Sequence, residues 1–355
     1  MAYTTIDDPS AHFQTLLYTG DGTSSQAQTN TGNSDLQPDW VWIKKRAGGT
    51  ARAHQLYDSS RGVTKLLHSN TDGAESTQSA GLTAFGSDGF TVGDDDGIGA
   101  NTATYVAWQW KANGGTTSSN SDGDITSTVQ ANTTAGFSII TYTGNGTAGQ
   151  TLGHGLGVAP SWIIVKERGN TRDWNVFHHK NTSAPATDFL VLNSTDATAD
   201  AANRWNDTMP SSSVITIGDT ARVNDPSGSY LMYVFTEIQG YSKFGSYTGN
   251  GSTDGTFVYT GFKPAFVITK RTDTAKNWYM FDNKRTPFNV IANLIAPNLS
   301  SAEDSGTGTY IDFLSNGFKL RQDFSHMNAS GGTHIYMAFA EHPFVSSKGV
   351  PVTAR

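Results

Sequence analysis

GFKPAFVITKR, at residues 261–271, is one of three similar stretches in this chain. The other two are QPDWVWIKKR at 37–46 and GVAPSWIIVKER at 157–168. Each stretch contains a proline. The residue two positions after this proline is aromatic, and the residue six positions after the same proline is a lysine. These lysines are Lys44, Lys166 and Lys270. A segment that recurs with constant spacing predicts a repeated structural element.

The residues between the aromatic residue and the lysine are apolar or β-branched in all three stretches. Proline has a fixed φ and no N–H group, which suits the first residue of a strand. Alternate side chains of a strand point to opposite faces, and here both faces are apolar. The pattern therefore predicts a central strand covered on both sides, in three copies, each with a core of its own.

The composition is typical of a turn-rich β-protein. Of the 355 residues 38 are glycine and only 15% are charged. The net charge of -7 argues against a nucleic-acid surface and against docking on anionic lipid. The chain has no cysteine, which excludes disulfides, thiolate metal sites and a cysteine nucleophile. The polar start MAYTTIDDPS predicts no signal peptide, and the lack of a long apolar run predicts no membrane insertion.

Other motifs recur in the same order around each copy. A Tyr-Thr-Gly-x-Gly turn signal begins at Tyr18, Tyr142 and Tyr247. An apolar strand closes each unit, so that the units span 18–108, 142–233 and 247–339 and are nearly equal in length. We therefore predict an all-β fold of three tandem antiparallel β-sandwich repeats, jelly-roll-like, of about 90 residues each.

The predicted domain boundaries follow these repeats. Residues 1–112 form the first β-sandwich, 137–241 the second, 242–345 the third, and 346–355 a polar tail. Residues 113–136, rich in Gly, Ser, Thr and Asn, are predicted to be a flexible linker. The second join is shorter and contains Ile238, Tyr241 and Phe244. We therefore expect the second and third units to meet rigidly and the first to be looser.

The sequence predicts no catalytic residue. The motifs HExxH and GxSxG are absent. Asp58 and Asp282 stand at equivalent positions, where the second unit has His178. A glycosidase needs two carboxylates facing each other across a cleft, and no unit offers a recognisable pair. His178 is interpreted as a polar residue at a strand edge.

The densest acidic loop is GDDDG at 93–97, which contains Asp94, Asp95 and Asp96. Three carboxylates on a glycine-flanked turn could hold Ca²⁺ through oxygen ligands. The spacing is not that of an EF-hand, and acidic residues in a solvated loop need no ion. A calcium site and a plain acidic loop both stay open, and no other cofactor is predicted.

Candidate ligand-binding residues lie outside the repeated strand. Trp205 stands beside Arg204 and Asn206 in a polar segment, and an aromatic face among hydrogen-bonding groups suits a sugar. The alternative is a tryptophan folded back to cap its own sandwich. Trp174 and Trp278, on short strands after a polar loop, allow either interpretation.

Several motifs together resemble a known but uncharacterised family. They are MAYTTIDDPSAHFQ, the turn YTGxG used three times, GYSKFGSYTGNGSTDGTFVYTGFKPAFVITKR, LSNGF and IYMAFAEHPF. This combination resembles a repeat domain common in virion structural proteins, often described as tail fibres, of bacteriophages that infect marine bacteria. The resemblance covers nearly the whole chain. It implies a place on a phage particle, with assembly in the host cytoplasm and release by lysis, and supplies no catalytic residue.

Three functions are compatible with these observations. The first is a tail fibre or spike subunit that binds a host-surface glycan or protein through its loops. The second is a capsid or tail decoration protein without a receptor of its own, and the third is a glycan depolymerase. Other virion proteins would be partners, and analogy with phage fibres implies a homotrimer. The loops at 71–84, 194–213 and 296–309 differ in composition and are expected to carry the specificity.

Overall fold

Strands make up almost all regular structure in the computed structural model, which describes residues 2–306 and 308–352. A short 3-10 helix, Pro9–Ala11, precedes the first strand. Within the described ranges the sheets are built from antiparallel strand pairs, so the predicted all-β sandwich class is confirmed. No described helix is long and apolar enough to cross a membrane. The last residues of the predicted polar tail, 353–355, lie outside the described ranges.

The first unit contains nine strands. They are β1 Phe13–Thr19, β2 Gln26–Thr29, β3 Trp40–Ala47, β4 Gln55–Asp58, β5 Lys65–Leu66, β6 Ser76–Thr77, β7 Leu82–Gly86, β8 Gly89–Val92 and β9 Thr104–Trp110. One sheet has the order β1-β9-β3-β4 and a second has the order β2-β8-β7. Strands β5 and β6 pair with each other.

The second unit contains ten strands. They are β10 Ser118–Asn120, β11 Ser127–Asn132, β12 Phe137–Thr143, β13 Gln150–Gly153, β14 Trp162–Glu167, β15 Asn175–His178, β16 Asp188–Val191, β17 Ala199–Asp200, β18 Val214–Ile217 and β19 Ser229–Phe235. Its large sheet has the order β10-β11-β12-β19-β14-β15-β16-β17, and β13 pairs with β18.

The third unit contains seven strands. They are β20 Ser242–Thr248, β21 Phe257–Tyr259, β22 Phe262–Arg271, β23 Trp278–Asp282, β24 Ile311–Leu314, β25 Gly317–Leu320 and β26 Thr333–Pro343. One sheet has the order β20-β26-β22-β23 and the other β21-β25-β24. In all three units the opening strand therefore pairs with the closing strand, which pairs with the proline-led strand, which pairs with the short aromatic strand.

The proline-led strands are central, as the sequence predicts. Strand β14 is buried over its whole length, because β19 and β15 flank it and apolar residues cover both of its faces. On the outward face, Ile163 and Val165 pack with Ile215 and Ile217 of the small sheet, which gives the second unit a sandwich core of its own. The other two units have corresponding outer cores.

The inward faces of the three large sheets share one further core, which the sequence did not predict. Trp40, Trp162 and Phe266, the aromatic residues of the three proline-led strands, belong to this common cluster. The expectation of three independent cores is corrected in this respect: each large sheet lies between its own outer core and the common one.

The expected flexible linker and the expected loose first unit are both corrected by this packing. Within residues 113–136, strands β10 and β11 extend the large sheet of the second unit, because β11 pairs with β12. The first unit contacts both others through aromatic rings. Phe13 stacks on Phe339 of the third unit with ring centroids 5.2 Å apart. β10 is the edge strand of this sheet, and an edge strand needs main-chain pairing more than apolar side chains, which is why composition concealed it.

Candidate functional site

The repeated lysines join neighbouring units. All three are fully buried, and each donates from Nζ to a backbone carbonyl of another unit: Lys166 to Asp72 at 3.1 Å, Lys270 to Thr195 at 3.2 Å and Lys44 to Ser300 at 3.0 Å. Burial lowers the pKa of each lysine to about 8. Unit two thus contacts unit one, unit three contacts unit two, and unit one contacts unit three, so the contacts close a ring.

A second ring of hydrogen bonds starts from the first residue of the aromatic segment in each unit. The bonds join Trp174 Nε1 to the His68 carbonyl at 2.8 Å, Trp278 Nε1 to the Val191 carbonyl at 3.0 Å and His54 Nε2 to the Ala296 carbonyl at 3.0 Å. Trp42 Nε1 donates to His54 Nδ1, which places the proton of His54 on Nε2. These bonds therefore join the same three pairs of units as the lysine bonds do.

The first boundary, between units one and two, contains a buried ion cluster. Arg61 contacts Asp58 at 2.5 Å and Glu75 at 3.0 Å, and Arg168 of the second unit contacts the same Glu75 at 2.8 Å. Tyr233 Oη of the second unit donates to Asp58 at 2.8 Å. Burial opposes ionisation of Glu75, but hydrogen bonds and charge from the two arginines lower its pKa overall.

The third boundary, between units three and one, repeats the cluster with equivalent residues. Arg285 contacts Asp282 at 2.6 Å and Glu303 at 3.2 Å, and Arg46 of the first unit contacts Glu303 at 2.9 Å. Trp108 Nε1 donates to Asp282 at 3.1 Å, in the role that Tyr233 has at the first boundary.

The second boundary, between units two and three, is neutral at these positions. His178 and Asn181 stand where the other boundaries have an acid and an arginine, and Thr198 Oγ1 donates to Asn181 at 2.7 Å. Lys180 N donates to His178 Nδ1, so His178 Nε2 carries the proton and lies 3.3 Å from the Tyr336 carbonyl. Burial lowers the pKa of His178 well below its usual range. His178 ends its strand as expected, but it is buried at a boundary.

The third unit explains why a histidine, and not an acid, stands at position 178. In the third unit, the closing-strand residue equivalent to Tyr233 and Trp108 is Met337. A methionine thioether has no hydrogen-bond donor, so a carboxylate at position 178 would lose the partner that Asp58 and Asp282 have. Asp58 and Asp282 are themselves buried and bound to arginine.

The predicted tryptophan site is buried. Trp205 is 1% exposed, and its Nε1 donates to the Asp188 carbonyl at 3.1 Å. The Arg204 guanidinium lies 4.4 Å from the centre of the Phe189 ring and donates to Asn175, while Asn206 is exposed with a φ of 51°. The sugar-platform interpretation is therefore corrected in favour of the alternative, a tryptophan folded back on its own sandwich.

Trp174 and Trp278 are also fully buried, in the hydrogen-bond ring between units. Neither ring has a face available to a ligand. Their environment resolves the open alternative in favour of packing.

The three acidic residues of the 93–97 loop do not converge on one point. Asp95 accepts from Gln55 at 2.6 Å and from Gln78 at 2.9 Å. Asp96 binds Lys45 at 2.5 Å and also contacts Arg52. Across the described residues, no group of three or more His, Asp or Glu side chains is arranged to hold a metal ion. Asp95 and Asp96 are thus bound to amide and basic groups of their own unit, and Asp94 is exposed.

The boundaries differ most in what covers them. Over the first boundary, the N–H groups of Ala112, Gly114 and Gly115 donate to the Asp39 carboxylate at 2.7 to 2.9 Å. Over the second, Glu237 binds Lys243 at 2.8 Å and accepts from the backbone of Phe244. In both cases the covering segment is the chain that follows the closing strand.

At the third boundary no such segment of the described chain lies over the gap between the units. After its closing stretch, β26 continues to Pro343 and pairs with its own neighbour β22, and the described chain beyond it contacts unit one only outside the walls of this gap, where Ser347 N donates to Asp7. A cleft of about 160 Å³ remains between the two units. Its walls include Asp8, Ser10, Gln14 and Thr15 of unit one, and Asn283, Lys284, Glu341 and His342 of unit three.

Ala265 helps to leave this space. Ser59 N donates to the Asp39 carbonyl, His179 N to the Ser161 carbonyl and Asn283 N to the Ala265 carbonyl, which makes Asp39, Ser161 and Ala265 equivalent. Where unit one has the carboxylate that binds its covering segment, unit three has a methyl group. Thr15 Oγ1 and Asn283 Oδ1 find no hydrogen-bond partner among the described residues.

A second, outer lobe adjoins the cleft. It has a volume of about 390 Å³ and shares Asn283, Lys284 and Glu341 with the inner lobe. Phe288 lines it and is 81% exposed. We call the two lobes together the open-boundary cleft. Sequence analysis missed it, although the alanine at 265 in a repeated stretch was a visible departure from Asp39.

Comparison with known families places almost the whole chain in one of them. The family described as "Domain of unknown function (DUF7483)" matches residues 8–343, and the chain therefore belongs to this family. No curated protein matches the chain, and no solved structure does.

Proposed function

We propose that this member of the DUF7483 family is a non-enzymatic structural subunit of a bacteriophage particle, a fibre or spike component that recognises the host surface. The observation that supports it most is the closed ring of three units around one aromatic core. A body held in this way suits a rigid scaffold that presents a recognition surface.

We propose a non-enzymatic role because of where the ionisable groups lie. Asp58 and Asp282 are bound to arginine, and Lys44, Lys166 and Lys270 are bound to carbonyl groups between units. These residues would be the first candidates for acid, base or nucleophile chemistry. Because the hydrogen bonds of these residues are used within and between the three units, we set the depolymerase alternative aside.

The phage setting rests on the sequence resemblance. The proposal does not require a homotrimer, because one chain already brings three similar units together. Other virion proteins and a host-surface glycan or protein are the proposed partners.

The experiment has two parts. Antibodies against the purified chain should label intact particles of the phage that encodes it, and soluble chain should compete with those particles for adsorption to host cells. Particles that carry no label would overturn the virion assignment. Particles that carry label, with adsorption unchanged at saturating protein, would overturn host recognition.

The decoration alternative has a specific observation in its favour. Three similar units in a closed ring present three similar outer faces, which could meet three equivalent neighbours on a capsid or tail surface. A density map of the labelled particle distinguishes the two, since decoration requires the chain to lie against capsid or tail tube with its outer faces covered.

A further inference from the structure

We propose that the open-boundary cleft is a saccharide-binding site, and that its ligand is a neutral sugar segment of a host-surface glycan. The source of the ligand rests on the proposed function, but the binding chemistry rests on the cleft alone. Two features support it: a boundary left uncovered where its two equivalents are covered, and an exposed aromatic ring beside it.

The inner lobe has the polar groups that bind hydroxyls. Thr15 Oγ1 and Asn283 Oδ1 have no hydrogen-bond partner among the described residues, and Glu341 offers a carboxylate. Amides both donate and accept, and carboxylates accept from two donors, so together they match sugar hydroxyls, which also do both. The volume of about 160 Å³ is small and suits one or two sugar rings more than a large ligand.

The charges in the walls favour a neutral ligand. Glu341 is paired with Lys263 at 2.6 Å. Asp8 and Lys284 add one charge of each sign. A strongly anionic or cationic ligand would meet a like charge on one side of the cleft, whereas a neutral saccharide meets none.

The outer lobe supplies the apolar face. Phe288 is 81% exposed and lies in the wall between Pro287 and Asn289. An aromatic ring next to a polar cleft can stack on the C–H face of a sugar while the polar groups bind its hydroxyls. The sequence interpretation sought this arrangement at Trp205, and the structure offers it at Phe288.

A peptide segment is the other conceivable occupant, since chain segments cover the first two boundaries. The segment at the first boundary is held by three N–H groups on the Asp39 carboxylate. Ala265 removes that acceptor from the third boundary, so a peptide in the same place would lose those bonds. The saccharide is therefore the better match to the groups present.

The test uses the full chain and an immobilised panel of bacterial surface polysaccharides, followed by titration of the best ligand. Phe288→Ala should raise the dissociation constant by about tenfold or more, because the stacking contact with the sugar is lost. Asn283→Ala should weaken it as well. Phe257→Ala is the matched control, because Phe257 is an exposed phenylalanine of the same unit, 44% exposed, outside the cleft walls. Circular dichroism and the unfolding midpoint of each variant establish that it is folded.

The outcomes separate the two proposals. Binding that is lost in Phe288→Ala and kept in Phe257→Ala supports the saccharide site. No binding to any polysaccharide, equal effects of both variants, or a protein segment seated in the cleft in a particle map would overturn it. Competition between the unaltered chain and phage particles for adsorption tests host recognition separately. If the Phe288→Ala variant still competes, host recognition stands independently of the saccharide site.

Discussion

Trp40 of the first unit stacks on Tyr233 of the second, with ring centroids 4.1 Å apart and an angle of 21° between the planes. Tyr233 also donates its hydroxyl to Asp58, so one side chain belongs both to the common aromatic core and to a buried ion cluster. Apolar packing and charge pairing therefore act at the same boundary. Because the residues contact one another, we expect their contributions to stability to be coupled.

Trp40→Ala should lower the free energy of unfolding by about 3–5 kcal/mol, because it leaves a cavity in the common core. Urea unfolding should follow one cooperative transition by both fluorescence and circular dichroism, since the inward face of each large sheet is buried by the other units. Leu17→Ala, at a position 36% exposed, is the control and should change stability by about 0.5 kcal/mol or less. Three separate transitions would show that the units fold independently.

The segment 113–136 should resist limited proteolysis. Trypsin should not cut first after Lys111, because the following residues are bound to Asp39 and then pass into paired strands. Asp39→Ala should release the segment and accelerate cleavage there. Mass spectrometry of the first fragments gives the result, and early cleavage after Lys111 in the unaltered chain would contradict the structure.

Lys166→Met should reduce the dependence of stability on alkaline pH. The native pKa is about 8, whereas an unfolded lysine has a pKa of about 10.4. Between these values the unfolded chain binds more protons, so the free energy of unfolding rises with pH, by at most about 1.4 kcal/mol per pH unit for one lysine. In Lys166→Met the free energy of unfolding should therefore rise less steeply with pH than in the unaltered chain.

Urea unfolding at pH 7.5, 8.5 and 9.5 measures this slope. Lys348→Met, which removes an exposed lysine, serves as the control. Equal slopes for Lys166→Met and the unaltered chain would mean that Lys166 does not lose its charge more readily in the native state.

His178→Asp should destabilise the protein by about 3–5 kcal/mol, because the carboxylate would be buried without an ionic partner. Asn181→Arg in the same chain should restore part of the loss, since it recreates the acid–arginine pair of the other boundaries. His178→Asn, which is neutral, is the matched control with a smaller loss. Thermal unfolding at pH 7 compares the three. Similar losses for Asp and Asn would indicate that water reaches the boundary.

The loops show why the candidate site could not be predicted from sequence. Their compositions differ among the units, which resembles variation for ligand binding. In the structure the beginnings of these loops accept hydrogen bonds from Lys44, Lys166 and Lys270 of neighbouring units. Whether a polar loop faces solvent or another unit depends on contacts between residues far apart in the chain, and local composition carries no record of them.

The sequence by itself determined the strands and their order, because alternation, proline position and turn dipeptides are local signals that act within a few residues. It also specified the three lysines that follow the apolar part of the repeated strand. Only the tertiary structure decided that the inward faces of the sheets share one core, that the lysines connect units, that Trp205 is buried and that the third boundary is open. Each of these depends on how one unit meets another, and at such a boundary burial and hydrogen-bond satisfaction, rather than propensity, set the outcome.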